Sequence, residues 1–449
     1  MRVALINPRE VLIGDRNFMS IFDGLSKKYV FRPKFSGFGL GLLVIAALTP
    51  PEYKIDVIDE NFDPIPWKTR YDLIGITANT SQATRAYEIA DEFRKRGNTV
   101  VIGGIHATIL ADEAKEHADS VVVGEAESTW PVLLEDLKHN KVKPFYKQQG
   151  PIHLRLSPIP RYDLLKPENY SIIWVQTTRG CPHDCEFCAA SRVYGRKYRR
   201  KSVRQIIREL EVVKRIWDRP QVSFADDNMF VHRNHSTVLL DRLKELDIKY
   251  FAQSDISIAE DKEFLRLLKD SGCNILFIGL ETLSREGLRQ INNNKWKARY
   301  LENYERYIER IQTVGIGVMG AFVIGLDTDT VSTFNEIAEF VIRNNLYAMQ
   351  LTILTPLPGS RLRERLLAEN RITNLNDWAR YTCNDINIIP RNMTPEQLQA
   401  GFFSIHRRVY SDEACTRRME YFKEIYTKIV GNKPVKDMGL SEFPKRFSV

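Results

Sequence analysis

"TTRGCPHDCEFCAAS", residues 177–191, places Cys181, Cys185 and Cys188 on one short loop, with no fourth cysteine nearby. Metal sites built from cysteine usually close with four ligands, in structural zinc and in ordinary iron-sulfur clusters alike. Three thiolates therefore describe a site whose fourth ligand comes from elsewhere. A zinc knuckle completed by His183 is the competing reading. That histidine stands between two of the cysteines, too close along the chain to close a tetrahedron comfortably with both. The other three cysteines, Cys273, Cys383 and Cys415, are scattered and read as buried filler.

Outward from this loop the chain repeats one pattern. "IIWVQT" (172–177) leads straight into the cysteines. "VSFA" (222–225), "KYFAQ" (249–253), "NILFIGL" (274–280), "GIGVMGAFVIG" (315–325) and "AMQLTIL" (348–354) follow, separated by amphipathic helical patterns. Six such units imply a partial barrel, open on one side, with chemistry at the carboxyl ends of its strands. Polar loops follow each strand there, including "ADDN" (225–228), "QSD" (253–255), "GLET" (279–282), "GLDTD" (325–329) and "TPLPGS" (355–360).

The first 140 residues also alternate. Apolar runs at 3–6, 54–58, 73–77, 99–102 and 121–123 read as buried strands, and "SQATRAYEIADEFRKRG" (81–97) as a helix stopped by Gly97. Five units predict a flavodoxin-like domain with ligands beyond its strand ends, where "GGIHAT" (103–108) and "GEAEST" (124–129) fall. The expected division is an α/β domain over 1–145, a linker with one short extended segment over 146–168, the barrel over 169–370 and a helical tail over 371–449. In that tail Trp378 and Tyr381 are expected to pack onto the barrel.

Composition bounds the rest. The 449 residues, 43% hydrophobic and 27% charged, suit two or three globular domains. No secretory leader is read at the start, and the apolar run at 37–50 is too short to span a bilayer, so a cytoplasmic protein without a transmembrane segment is expected. A net charge of +8 permits an acidic partner. "GRKYRRKS" (195–202) reads as a solvated loop before a helix, because Ser202 and Gln205 form a capping box. No stacking aromatic series accompanies it, and no nucleic acid is expected.

The spacing of Cys181, Cys185 and Cys188, with Phe187 before the last, on the loop after the first strand of a six-fold β/α run, resembles the radical S-adenosylmethionine (SAM) superfamily. With the α/β domain in front, it resembles the cobalamin-binding branch, of the class B methyltransferase type. That resemblance implies a flavodoxin-like (Rossmann-type) cobalamin-binding domain, a partial (β/α)6 barrel and a small helical C-terminal domain. It implies a 4Fe-4S cluster on Cys181, Cys185 and Cys188, with SAM chelating the fourth iron. Asp226 and Asp227 would meet the SAM amino group, Glu281 its ribose or carboxylate region, and Phe187, Gly325 and Leu357 would flank the adenine. Thr77, Asn79, Thr80, Ser81, Gly103, Gly104, His106, Thr108, Gly124, Glu125 and Glu127 would surround cobalamin. His106 lacks the Asp-x-His-x-x-Gly setting of an axial ligand, so no histidine ligation of cobalt is expected. The implied activity is methylation of an unactivated carbon through a 5'-deoxyadenosyl radical and methylcobalamin, with a one-electron donor such as ferredoxin or flavodoxin. A protein or peptide side chain, such as glutamine of methyl-coenzyme M reductase, is the favoured substrate, ahead of a lipid such as a hopanoid or another small molecule. Cyclisation, ring rearrangement or carbon-carbon coupling on the same architecture is the alternative.

Overall fold

The computed structural model describes residues 1–10, 38–292 and 295–430. Two parallel six-stranded sheets organise them. The first contains β1 (Arg2–Asn7), β2 (Lys54–Asp59), β3 (Leu73–Thr77), β4 (Val100–Gly103), β5 (Ser120–Val123) and β6 (Phe145–Lys147), in the spatial order β2-β1-β3-β4-β5-β6. The near-continuous burial of β1, β3 and β5 follows from helices on both faces, which leave parallel strands no solvated side.

One strand more is present than the five expected, and it begins at the edge of the expected linker. β6 is only three residues long and pairs with β5, with Tyr146 buried between flanking residues that are not. So short a run carries no period by which a sequence reading could separate it from an extended linker.

The second sheet starts at β7 (Ile173–Val175). A small antiparallel pair, β8 (Thr178–Arg179) and β9 (Arg199–Arg200), encloses the cysteine loop, and β10 (Gln221–Phe224), β11 (Lys249–Ser254), β12 (Cys273–Glu281), β13 (Gly317–Ile324) and β14 (Ala348–Ile353) follow. The order β14-β13-β12-β11-β10-β7 runs through the strands in sequence, and the outermost two do not pair with each other. This is a partial (β/α)6 barrel, open between β7 and β14. Alternate residues divide its two faces: Val222, Tyr250, Leu276, Val318 and Leu351 are buried under the outer helices, whereas the intervening side chains face the lumen.

The capping boxes at Ser202/Gln205 and Thr394/Gln397 both form, opening helices Val203–Ile216 and Pro395–Val409. The basic stretch 195–202 is only in part a solvated loop. Arg196, Lys197 and Arg200 are exposed, but Lys201 is buried with Glu209 (2.6 Å), which also accepts a hydrogen bond from Tyr162 (2.8 Å). The expected helical tail is α-helical only over Pro395–Val409 and Asp412–Val430; residues 371–394 are a largely irregular strap with one 3-10 turn at Trp378–Arg380, and those beyond 430 lie outside the described residues.

Removing one member of a buried pair strands the other charge away from water. Glu209→Ala is expected to cost about 3–5 kcal/mol of stability, with Lys201 left uncompensated, as read from the midpoint of urea unfolding.

Candidate active site

The cysteine loop is tied down by the chain's own residues. At its start Gly180 has φ +88°, and a Cβ there would lie 2.6 Å from the Lys197 carbonyl oxygen, so glycine is required. Beneath it Asp226, fully buried at the end of β10, accepts hydrogen bonds from the Thr177 amide (2.9 Å) and hydroxyl (2.9 Å), the Thr178 hydroxyl (2.8 Å) and the Thr178 amide. Burial pushes its carboxyl up to about 6 although these four donors pull it down. Asp226 is thus occupied in holding the loop. Asp227 is the open one of the pair, exposed and close enough to Cys181 and Cys188 to push both thiols up.

The three cysteines are free, and burial raises Cys181 to about 12, Cys188 to about 11, and Cys185 as well. Each also feels a neighbouring cysteine or a nearby carboxylate. Thiols crowded in this way ionise readily only when a metal takes the place of the proton. Among the described residues no three His, Cys, Asp or Glu side chains gather as a site for a single ion. A cubane gives each thiolate its own iron, so the donor set fits a cluster without requiring such convergence.

Glu281, at φ +65° on the end of β12, does not stand free for a ligand. It forms a buried ion pair with Lys297, whose ammonium also donates to the Gly279 carbonyl (3.1 Å) and lowers the Cys185 thiol against the effect of burial. Lys297 is a residue the sequence reading missed, since nothing in its local pattern marks it as buried. Phe187 packs on the cluster containing Val323, Leu354 and Ile388, and a Cβ on Gly325 would meet Leu398 and Ile388. Leu357 is placed apart from them, against the core of the first domain.

That domain's loop edge lies on the barrel mouth. Glu125 meets Arg179 (2.8 Å) and Arg199 (2.6 Å), and Glu127 meets Arg179 (2.6 Å); none of the four side chains is more than 10% exposed. The loops around Thr77–Ser81, Gly103–Thr108 and Gly124–Glu127 are joined at this edge. Gly104, at φ +95°, has no room for a Cβ beside Thr77 and Ala78, and the Thr108 hydroxyl accepts from the Gly124 amide (3.0 Å). Asn79 accepts from the Ser81 hydroxyl (2.9 Å) and is exposed, whereas Thr80 is buried. His106 points inward: it is 1% exposed, hydrogen-bonds Glu113 (3.3 Å) and meets Trp378 edge-on. Trp378 and Tyr381 join the core of the first domain and also meet the barrel, through Arg363, so the tail packs on both and not on the barrel alone.

Below the mouth the lumen is lined by half-buried Trp174, Phe251, Phe277 and Met319, with the Phe251 and Phe277 rings 6.1 Å apart; Gln253 is in register with Phe277, and Gln350 and Thr352 lie farther toward the strand ends.

Comparison with known proteins places this geometry. Residues 175–341 match the Radical SAM superfamily model and residues 29–134 the B12 binding domain model. The bacteriochlorophyllide d C-8(2)-methyltransferase of Chlorobaculum tepidum is 32% identical over 86% of this chain and 88% of its own length. The chain belongs to the cobalamin-binding radical SAM family. It is an enzyme of the methyltransferase type, with a 4Fe-4S cluster, SAM and cobalamin as cofactors. The hopanoid C-2 methylase of Rhodopseudomonas palustris is 28% identical over 85% of this chain and 72% of its own. The fold is shared with the radical SAM methyltransferase TsrM from Kitasatospora setae, solved with cobalamin and a [4Fe-4S] cluster bound, at TM-score 0.63 and 16% identity over 82% of this chain and 78% of that one. No helix among the described residues is long and apolar enough to cross a membrane.

Asp226→Asn would replace an acceptor of four donors by a group that turns its own N–H toward some of them. It is expected to cost about 1–3 kcal/mol for each donor left unsatisfied and to lower the iron retained per chain after reconstitution, measured by thermal melt and iron assay.

Proposed function

We propose that this enzyme methylates an unactivated carbon of an apolar ring system, in preference to the protein or peptide side chain that the sequence alone favours. The observation that carries the reading is the lumen wall, where aromatic and thioether side chains at Trp174, Phe251, Phe277 and Met319 dominate, with Gln253 among them and Gln350 and Thr352 toward the strand ends. A flat or polycyclic hydrocarbon body gains from burial against such a floor, and its polar edge groups meet Gln253, Gln350 and Thr352. Relatives named for bacteriochlorophyllide and hopanoid methylation favour the same class.

When bound, the cluster with SAM supplies the radical that removes a hydrogen atom, and cobalamin supplies the methyl group. The chain's own part is placement. Cys181, Cys185 and Cys188 would hold the cluster, and Asp227, on the loop after β10, lies close to Cys181 and Cys188. The loops of the first domain offer cobalamin a seat over the mouth. Their contact with the barrel through Glu125, Glu127, Arg179 and Arg199 keeps bulk water from the space between.

The test begins with anaerobic reconstitution by iron, sulfide and hydroxocobalamin, with bound cobalamin measured by absorbance; about one per chain is expected. Methyl-deuterated SAM is then supplied with a chlorin, a pentacyclic hopene or a glutamine-containing peptide. Label on either ring compound is expected, whereas label on the peptide alone would overturn the substrate reading. Cys181→Ala should abolish both deoxyadenosine formation and methyl transfer. Phe277→Ala removes one wall of the floor and should raise KM for the ring substrate by about tenfold, the worth of one buried aromatic contact.

A further inference from the structure

On the outer face of the barrel, helices Lys262–Asp270 and Tyr304–Thr313 enclose a groove of about 350 Å³. Lys262, Arg266, Arg306 and Arg310 line it, over the apolar floor of Leu265, with Glu309 as the acidic exception. Lys262, Arg266 and Arg306 are exposed. Neither the cluster, the cobalamin loops nor the lumen uses these residues.

From this groove a continuous series of rings leads to the cysteine loop. The guanidinium groups of Arg306 and Arg310 lie over Tyr307, at 5.2 and 5.5 Å from its centroid. Tyr307 is 6.2 Å from Tyr300, Tyr300 is 5.8 Å from Trp296, and Trp296 stacks on His183 at 4.1 Å with only 17° between the planes. His183 lies between Cys181 and Cys185, and its Nε2 is held by Asp255 (3.5 Å). Electron transfer weakens steeply with separation and less steeply through packed atoms than across gaps, so a donor must dock where a packed path reaches the cluster.

We propose that this basic groove is the docking surface for an acidic one-electron donor protein, and that the Tyr307–Tyr300–Trp296–His183 series is the path between donor and cluster. The inference rests on the cluster assignment but not on the identity of the methyl acceptor. In the step, the reduced donor loses one electron and the oxidised cluster gains it; no bond forms or breaks. Charge complementarity selects the occupant, because four cations with a single carboxylate attract an acidic surface and steer its approach.

The experiment uses the full chain with its reconstituted cluster and follows bleaching of the cluster absorbance, which needs neither cobalamin nor a methyl acceptor. An acidic flavodoxin, reduced by its NADPH-dependent reductase, is compared with dithionite, which needs no docking site. The combined variant Lys262→Glu, Arg266→Glu and Arg306→Glu is expected to slow flavodoxin-driven reduction by roughly tenfold or more, while dithionite-driven reduction stays within about twofold. Flavodoxin-driven reduction unchanged within about twofold would overturn the proposal. A second measurement does not depend on the variant's folding: carbodiimide coupling of wild-type enzyme to flavodoxin should join donor carboxylates to Lys262, and coupling confined to lysines on other faces would also overturn it. If the cluster is reduced and SAM cleaved yet no ring substrate is methylated, the substrate reading fails and the docking surface stands.

Discussion

Two carboxylates of the first domain are buried only because two guanidinium groups of the barrel meet them. Glu125 and Glu127 keep 3% and 7% of their side-chain surface, and Arg179 and Arg199 keep 10% and 9%. Burial would push the Glu125 carboxyl up, but Arg199 and Arg179 together hold it below the usual carboxylate range. Separating the domains without rehydrating these groups would leave buried charges unpaired, which is costly, so the contact defines a single docking geometry. Gln148, next after β6, completes the site by exchanging hydrogen bonds with the Glu125 side chain (3.0 Å) and amide (2.6 Å). Since Arg179 is two residues before Cys181, the contact that seats the first domain also fixes the entry to the cysteine loop.

The two ends of that loop are joined by the β8–β9 pair, and its middle has its own anchor. Glu186, between Cys185 and Phe187, receives two hydrogen bonds from Arg365 (2.7 and 3.2 Å), and Arg365 reaches on to Asp327 (2.7 Å), which Arg371 also meets (2.8 Å). Each pair alone, partly exposed, contributes little. As a connected set they limit the rotamers of one another, and the main chain adds the Glu186 amide on the Ile291 carbonyl (2.8 Å) and the Leu362 amide on the Glu186 carbonyl (3.0 Å). The three thiols are therefore presented by a loop held at both ends and in the middle.

The alternating strands and helices, the order of the barrel and the cysteine loop could be read along the chain, because each is a local pattern: a hydrophobic period, a glycine stop, a ligand spacing. What each polar residue touches could not. Asp226 and Asp227 are adjacent and chemically identical, yet one is consumed by Thr177 and Thr178 and the other is open. Glu125 and Glu127 look like loop carboxylates available to a ligand until Arg179 and Arg199, more than 50 residues on, are brought beside them. Lys297 sits in a stretch rich in Lys and Asn that reads as surface, and only the fold places its ammonium on Glu281.

The strap at 371–394 has the least local regularity and the most distant contacts, and the two properties belong together. Its chain is tied to the barrel edge by the Ile353 amide on the Cys383 carbonyl (2.8 Å) and folds back on itself through the Ile372–Ile388 bridge. A helix could not make both ties, because its main-chain groups would already be used internally. Trp378, which opens a 3-10 turn over Trp378–Arg380, reaches Glu113 (2.8 Å), which also accepts from Tyr87 (2.9 Å) and meets His106. Burial lowers the His106 pKa despite that glutamate, so the contact works as a hydrogen-bonded hub with a neutral imidazole and not as an ion pair. Arg363 stacks over Trp378 and Tyr381 from the barrel side, at 5.1 and 5.6 Å. The first domain is thus held on one side by buried charge and on the other by an aromatic clasp. A hinge motion between the first domain and the barrel would have to break both contacts at once.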